Sequence, residues 1–310
     1  MLKQIIHQTL LSVTLLGIAV LYGSAVMEGA FSARWAQPHV YAKPEVVVET
    51  PPEIVPQVIK LDNVGHLQQV LEKHEYRFED VMQRGEDIPR LFFINFPKDI
   101  RHVKCVTTKK ALFLQTLLPI ILHVNEEVTA EREKLFDLHQ RFEAGETLEI
   151  EEQAWLQKLA QKYKLKRVDW GELKLRVDII PPSMALGQAV IESGWGWSYA
   201  ARVKNSPYGM TISDQVKFYQ SLLESTYYYV RNLNSHRAYR EMRRTRAQLR
   251  AQGKTPDGYT LIGDLLRYSE QKWVYINKVR RTIARNNLAF FDSGIRLQQV
   301  AVAPKAEVVA

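Results

Sequence analysis

From Leu61 onward, apolar residues recur mostly at helical spacing. GHLQQVLEKHEY over Gly65–Tyr76 puts Leu67, Val70 and Leu71 on one face and predicts a helix. KALFLQTLLPIILHV over Lys110–Val124 is apolar all round, the pattern of a deeply buried helix. Pro119 is expected to interrupt or kink it, because proline removes a backbone donor. Glu126–Phe142 and Leu148–Tyr163 read as charged, amphipathic helices joined by a turn at Gly145. Helical spacing returns over Ser221–Leu233, Arg237–Gln252, Tyr259–Tyr268 and Trp273–Asn286. Leu91–Phe96 (LFFINF) is a short apolar-aromatic segment, and strand signals are scarce, Gln215–Phe218 being the best. The expected class is mostly α.

Two regions stand outside this pattern. Lys3 precedes an uncharged stretch, Thr9–Val26, about as long as a bilayer crossing, followed by small residues. Residues 1–35 are therefore expected to be a signal peptide, cleaved after Ala25, or a retained signal anchor. Residues 36–60 hold Pro38, Pro44, Pro51, Pro52 and Pro56 with no helical period and read as an extended linker. A helical region is expected over 61–180, the chemistry-bearing domain over 181–295 and a frayed tail over 296–310.

Charge and cysteine content narrow the partners. The 310 residues carry 42 Lys+Arg against 34 Asp+Glu, a net charge of +8, which points to an anionic partner. Export places the chain in the cell envelope or periplasm and removes nucleic acid as a partner, leaving wall polymer or an anionic membrane surface. The basic run Arg237–Arg250 is expected to rest an apolar stripe on the core and turn its arginines toward wall carboxylates, anionic lipid or solvent. The lone Cys105 excludes an intramolecular disulfide and reads as a partly buried structural thiol. The eight histidines show no metal-ligand pairing, so neither a catalytic metal nor a cofactor is expected.

The chemistry concentrates in Pro181–Met210. Pro181 and Pro182 stop the preceding segment, Ser183 is a natural N-cap, and Gly194 is placed to close the helix. Glu192 then falls in the last turn, where the helix dipole disfavours a carboxylate. Trp195 and Trp197 flank it, and an indole environment favours the neutral acid. A carboxyl kept protonated near neutrality is what a glycosidase general acid requires.

The stretch Ala185–Gly196 (ALGQAVIESGWG), followed by Asn205–Gly209 (NSPYG), resembles the signature of bacterial peptidoglycan N-acetylglucosaminidases of glycoside hydrolase family 73. Within that family the chain is similar to the Bax-like proteins, over roughly Leu61–Leu288. The resemblance implies a lysozyme-like helical fold with a small β-hairpin and hydrolysis of β-1,4 bonds next to N-acetylglucosamine. It implies Glu192 as general acid and Tyr268 near the reacting sugar, as the first residue of a late motif that here reads YSEQ. Asp214 stands where the family carries a second acid, in a shortened hairpin. Gln188, Trp195, Asn205 and Tyr208 are the expected substrate-binding residues, although Ser206 and Pro207 depart from the family's Asn-Leu. The function expected is that of a peptidoglycan hydrolase, an endo-β-N-acetylglucosaminidase acting on glycan strands. Two alternatives stay open: a non-catalytic wall-binding scaffold, and a lytic transglycosylase using the same glutamate.

Overall fold

A computed structural model describes residues 57–212 and 215–299. The signal segment, most of the linker, Asp214 and the end of the tail lie outside the described residues. In chain order the elements are β1 (Gln57–Ile59), α1 (Val64–Lys73), α2 (Phe78–Arg84), β2 (Leu91–Phe93), α3 (Val106–Glu143), α4 (Ile150–Lys162), α5 (Trp170–Arg176), α6 (Pro182–Ser193) and α7 (Tyr199–Lys204). There follow β3 (Thr211–Ile212), β4 (Gln215–Val216), α8 (Leu222–Ser235), α9 (Arg240–Ala251), α10 (Gly258–Leu261) and α11 (Trp273–Arg285). The protein is mostly α, as its periodicity predicts. Among the described residues, no helix is long and apolar enough to cross a membrane.

Both ends of the described chain dock on the core, against expectation. Gln57–Ile59, the end of the expected linker, is a strand pairing in parallel with Leu91–Phe93. Asn95 locks the entry by accepting from Leu61 N at 3.1 Å and donating to Leu61 O at 2.8 Å. The first residues of the expected tail are also held: Leu297 is buried, and Ile88 N and O bond Arg296 O and Gln298 N.

Pro119 does not break the buried helix. α3 runs uninterrupted for 38 residues and absorbs the separate helix expected from Glu126. At about 1.5 Å per residue it spans about 57 Å. Proline costs the helix one hydrogen bond. Here Leu117, Leu118, Ile120 and Ile121 are all fully buried around it, and this burial outweighs one lost bond. The first half of α3 joins the main core, while Leu135 and Leu138 belong to a second cluster with Leu148, Leu156, Leu159, Tyr163, Leu173 and Val177. Gly145 makes the expected turn, at φ 83°. Cys105, expected to be partly buried, is exposed at the N-terminus of α3.

The arginines of α9 do not face outward as a set. Arg243 and Arg246 are buried, and their guanidiniums donate to the carbonyls of Leu233, His236, Leu175, Asp178 and Ile179. Arg250 grips the Asp178 carboxylate with two bonds, at 2.7 and 2.6 Å. Arg132 reaches the same carboxylate at 3.8 Å while donating to Lys174 O and Val177 O. Helix ends leave unsatisfied carbonyls, and the guanidinium forks supply donors to those at the ends of α5 and α8. Burial alone would push the Asp178 carboxyl up, but Arg246, Arg250 and Arg132 hold it below the usual carboxylate range. This ionic knot fixes the segment that leads into α6.

Candidate active site

α6 is positioned from both ends. Asn125 on α3 pairs with Ile180 through both N–H and C=O, setting the approach to Pro182. Ser183 does not cap the helix as expected, because α6 starts at Pro182, with Pro181 in the N-cap position. Instead the Asp292 carboxylate accepts from Ser183 N at 2.8 Å, Ser183 Oγ at 2.6 Å and Gly258 N at 2.9 Å. Gly258 is required by contact: a Cβ there would lie 2.2 Å from Ser183 Oγ. Gly187 lets α11 approach, since a Cβ would meet Val279 and Ile283 at 3.1 Å.

The C-terminal turn uses every residue of ESGWG. Ser193 Oγ donates to Ala189 O at 2.6 Å and accepts from Gly196 N at 2.9 Å, which ties the turn back onto the helix. Gly194, Trp195 and Gly196 are all left-handed, at φ 60°, 62° and 76°. Two glycines supply that conformation without Cβ strain. Trp195 takes it as well and packs edge-on against Phe113, with Lys110 Nζ 5.1 Å from its ring centre. Trp197, the other expected neighbour of Glu192, is 59% exposed.

Glu192 leaves this turn toward Gly209. A Cβ on Gly209 would lie 2.6 Å from Glu192 Oε2, so the carboxyl group rests directly on the glycine's backbone. The Tyr275 hydroxyl hydrogen-bonds the same carboxyl. Behind it, Gln188 Nε2 donates to Tyr275 Oη at 3.0 Å, and Gln188 Oε1 accepts from Tyr229 Oη at 2.8 Å. Burial raises the Glu192 carboxyl above the usual range, and the bond from Tyr275 opposes but does not cancel this.

The loop carrying Gly209 is pinned by three tyrosines. Tyr268 Oη donates to Tyr208 O at 2.8 Å. The Tyr208 ring stacks on Tyr229 at 4.1 Å and 10°, and its hydroxyl bonds Thr226 Oγ1 at 3.1 Å. Tyr268 in turn stacks on Tyr275 at 5.6 Å. Burial keeps the hydroxyls of Tyr208, Tyr229, Tyr268 and Tyr275 well above the ordinary tyrosine value, so all stay neutral donors. Upstream, Asn205 sits at φ 49° and donates to Tyr219 O and Gln220 O at 3.1 and 3.3 Å. The antiparallel pair β3–β4 follows, matching the expected small hairpin.

The sequence around this site is similar to that of known proteins. Residues 170–288 match the glucosaminidase domain model described as mannosyl-glycoprotein endo-beta-N-acetylglucosaminidase. The chain is 36% identical over 196 residues to Protein bax of Escherichia coli (strain K12), an alignment covering 58% of this chain and 70% of that protein. The chain belongs to the Bax-like glucosaminidase-domain family. No solved structure matches it.

Seen against that family, the expected site residues divide by exposure. Glu192 and Tyr268 come together around Gly209. Gln188 and Tyr208, expected at the substrate, are 0% and 1% exposed and act on the site through Tyr275 and the Gly209 backbone. Asn205 is also buried and holds the loop. Tyr275 was not legible from sequence: it lies on the same α11 stripe as Val279 and Ile283 and reads as core. The available signal was that a tyrosine on such a stripe needs a partner for its hydroxyl. Among the described residues, no three His, Cys, Asp or Glu side chains gather as a metal site would require.

Proposed function

We propose that this protein is an exported peptidoglycan hydrolase that cleaves the β-1,4 bond after N-acetylglucosamine, with Glu192 as general acid. The observation that carries the reading is the Glu192 carboxyl itself, raised by burial, set on Gly209 and held by Tyr275. Such a group stays protonated nearer neutrality than an ordinary glutamate and can give its proton to the bridging oxygen as the bond to the anomeric carbon breaks. Water then supplies the hydroxyl at that carbon. As the glutamate becomes anionic, the neutral Tyr275 hydroxyl remains aimed at it as a donor. Tyr268 acts through the Gly209 loop and is assigned a positioning role. The glucosaminidase-domain match supports the substrate class, and the apolar Thr9–Val26 stretch supports export.

A second reading uses the same acid, since a lytic transglycosylase needs only one; Asp214, the expected second acid, lies outside the described residues. Digestion of purified peptidoglycan by the full chain and by Glu192→Gln, followed by mass spectrometry of the new ends, separates the readings. New reducing N-acetylglucosamine ends that vanish in the variant are expected. Anhydro-muramic ends would move the assignment to the transglycosylase, and no cleavage by the wild type would leave a wall-binding scaffold.

A further inference from the structure

Beside the Glu192 loop lies a cavity of about 230 Å³ lined by Lys164, Lys217, Arg231, Tyr219, Tyr228 and the Met210–Thr211 backbone region. Met210 is the residue after Gly209, and consecutive Cα atoms lie about 3.8 Å apart, so this cavity and the carboxyl group share one loop. Its three cations come from different parts of the chain: Lys164 follows α4, Lys217 follows β4, and Arg231 is on α8. Among the described residues, none of the three forms an ion pair. Among the described residues, Glu224 is the acid that acts on Tyr219, and its carboxylate accepts from Gln220 N at 2.7 Å.

The phenols of the cavity do not cancel this charge. Lys217 Nζ lies 3.2 Å and Arg231 Cζ 4.5 Å from the Tyr228 ring centre, and the two cations hold its hydroxyl below the ordinary tyrosine value. Tyr219 is 1% exposed, and its buried hydroxyl has no hydrogen-bond partner. A buried hydroxyl left unpaired is costly unless something binds it. Two cations stacked on phenols beside an unpaired phenolic donor form a receptor for a small, planar anion.

Peptidoglycan offers such an anion within one sugar of each N-acetylglucosamine, namely the carboxylates of its peptide stems. We propose that the Lys217–Arg231–Tyr219 cavity is a carboxylate subsite that recognises the stem peptide, so that the favoured substrate is peptide-bearing glycan and not bare strand. The proposal rests on the hydrolase reading for its choice of ligand.

The test is a titration of the full chain carrying Glu192→Gln, which prevents turnover, with a disaccharide tetrapeptide whose carboxylates are free and with the same compound fully amidated. The free acid is expected to bind about tenfold tighter, the gain typical of a charge-assisted hydrogen bond. Adding Lys217→Gln and Arg231→Gln should abolish the difference between the two ligands. Tyr219→Phe, which removes only a hydroxyl, should reduce it about threefold. Equal affinities in the parent chain, or a preference that survives the charge substitutions, would overturn the subsite. Wild-type digestion of intact and peptide-stripped strands keeps the two ideas separate. A preference in binding with no cleavage of either material would sink the hydrolase reading and leave the subsite standing.

Discussion

The Gln188 amide donates to the Tyr275 hydroxyl at 3.0 Å and accepts from Tyr229 at 2.8 Å, and this orientation decides what Tyr275 can offer Glu192. Gln188 offers the Tyr275 oxygen an N–H and no acceptor, which leaves the hydroxyl proton free for the carboxyl group. The acid is thus shielded by burial and restrained by one donor whose direction is set by a residue that never reaches the surface.

Removing that donor has a defined sign. A general acid works while protonated, so activity falls as pH rises through the Glu192 value. The Tyr275 bond favours the carboxylate, so Tyr275→Phe should raise that value and move the basic limb of the kcat profile to higher pH. The optimum kcat should fall about two- to tenfold, as for loss of one hydrogen bond. A pH–rate profile of the variant checks this, and a limb moved to lower pH would contradict it.

Gly209 sets the opposite wall. A Cβ at this position would sit 2.6 Å from Glu192 Oε2, and the residue's φ of 66° disfavours any side chain. Gly209→Ala should displace the carboxyl group while leaving most of the core untouched. A shift of about 1 Å in a catalytic group can cost about a hundredfold, and kcat/KM on peptidoglycan should drop by at least that factor. Thermal melting separates this effect from loss of the fold.

The Asp178 knot can be tested by denaturation. Asp178→Asn leaves Arg246 and Arg250 without their carboxylate partner, which should destabilise the protein by about 3–5 kcal/mol. The Asp178 carboxyl lies below its unfolded value. Its stabilisation is therefore complete above the unfolded value and is lost as pH falls through the folded one. The gap between wild type and variant in urea titrations should be wide at neutral pH and close in acid.

Periodicity was a sound guide where one helix met one core. Leu67 and Leu71, and the stripe of α11, are buried as their spacing predicts. It failed where one helix runs on past Pro119: α3 absorbs the separate helix expected from Glu126. It also failed where polar groups face inward, since Arg243 and Arg246 look like surface residues until the carbonyls they serve are in place. At the site, Glu192 and the glycine-rich turn were legible because their chemistry conflicts with a helix end. Gln188 was singled out for the substrate, yet its work is done through Tyr275, a contact across 87 positions that no local pattern encodes.

α3 belongs to two cores at once, with Leu117 and Leu118 in one and Leu135 and Leu138 in the other. A single ladder of backbone hydrogen bonds therefore carries the boundary between them. Fraying that starts at Glu143 must pass through the smaller cluster before it touches the wall that supports Glu192. The Glu192 region is thereby insulated from melting at the far end of the chain's longest described helix, and amide protection should rise stepwise along one element from Glu143 back to Leu112.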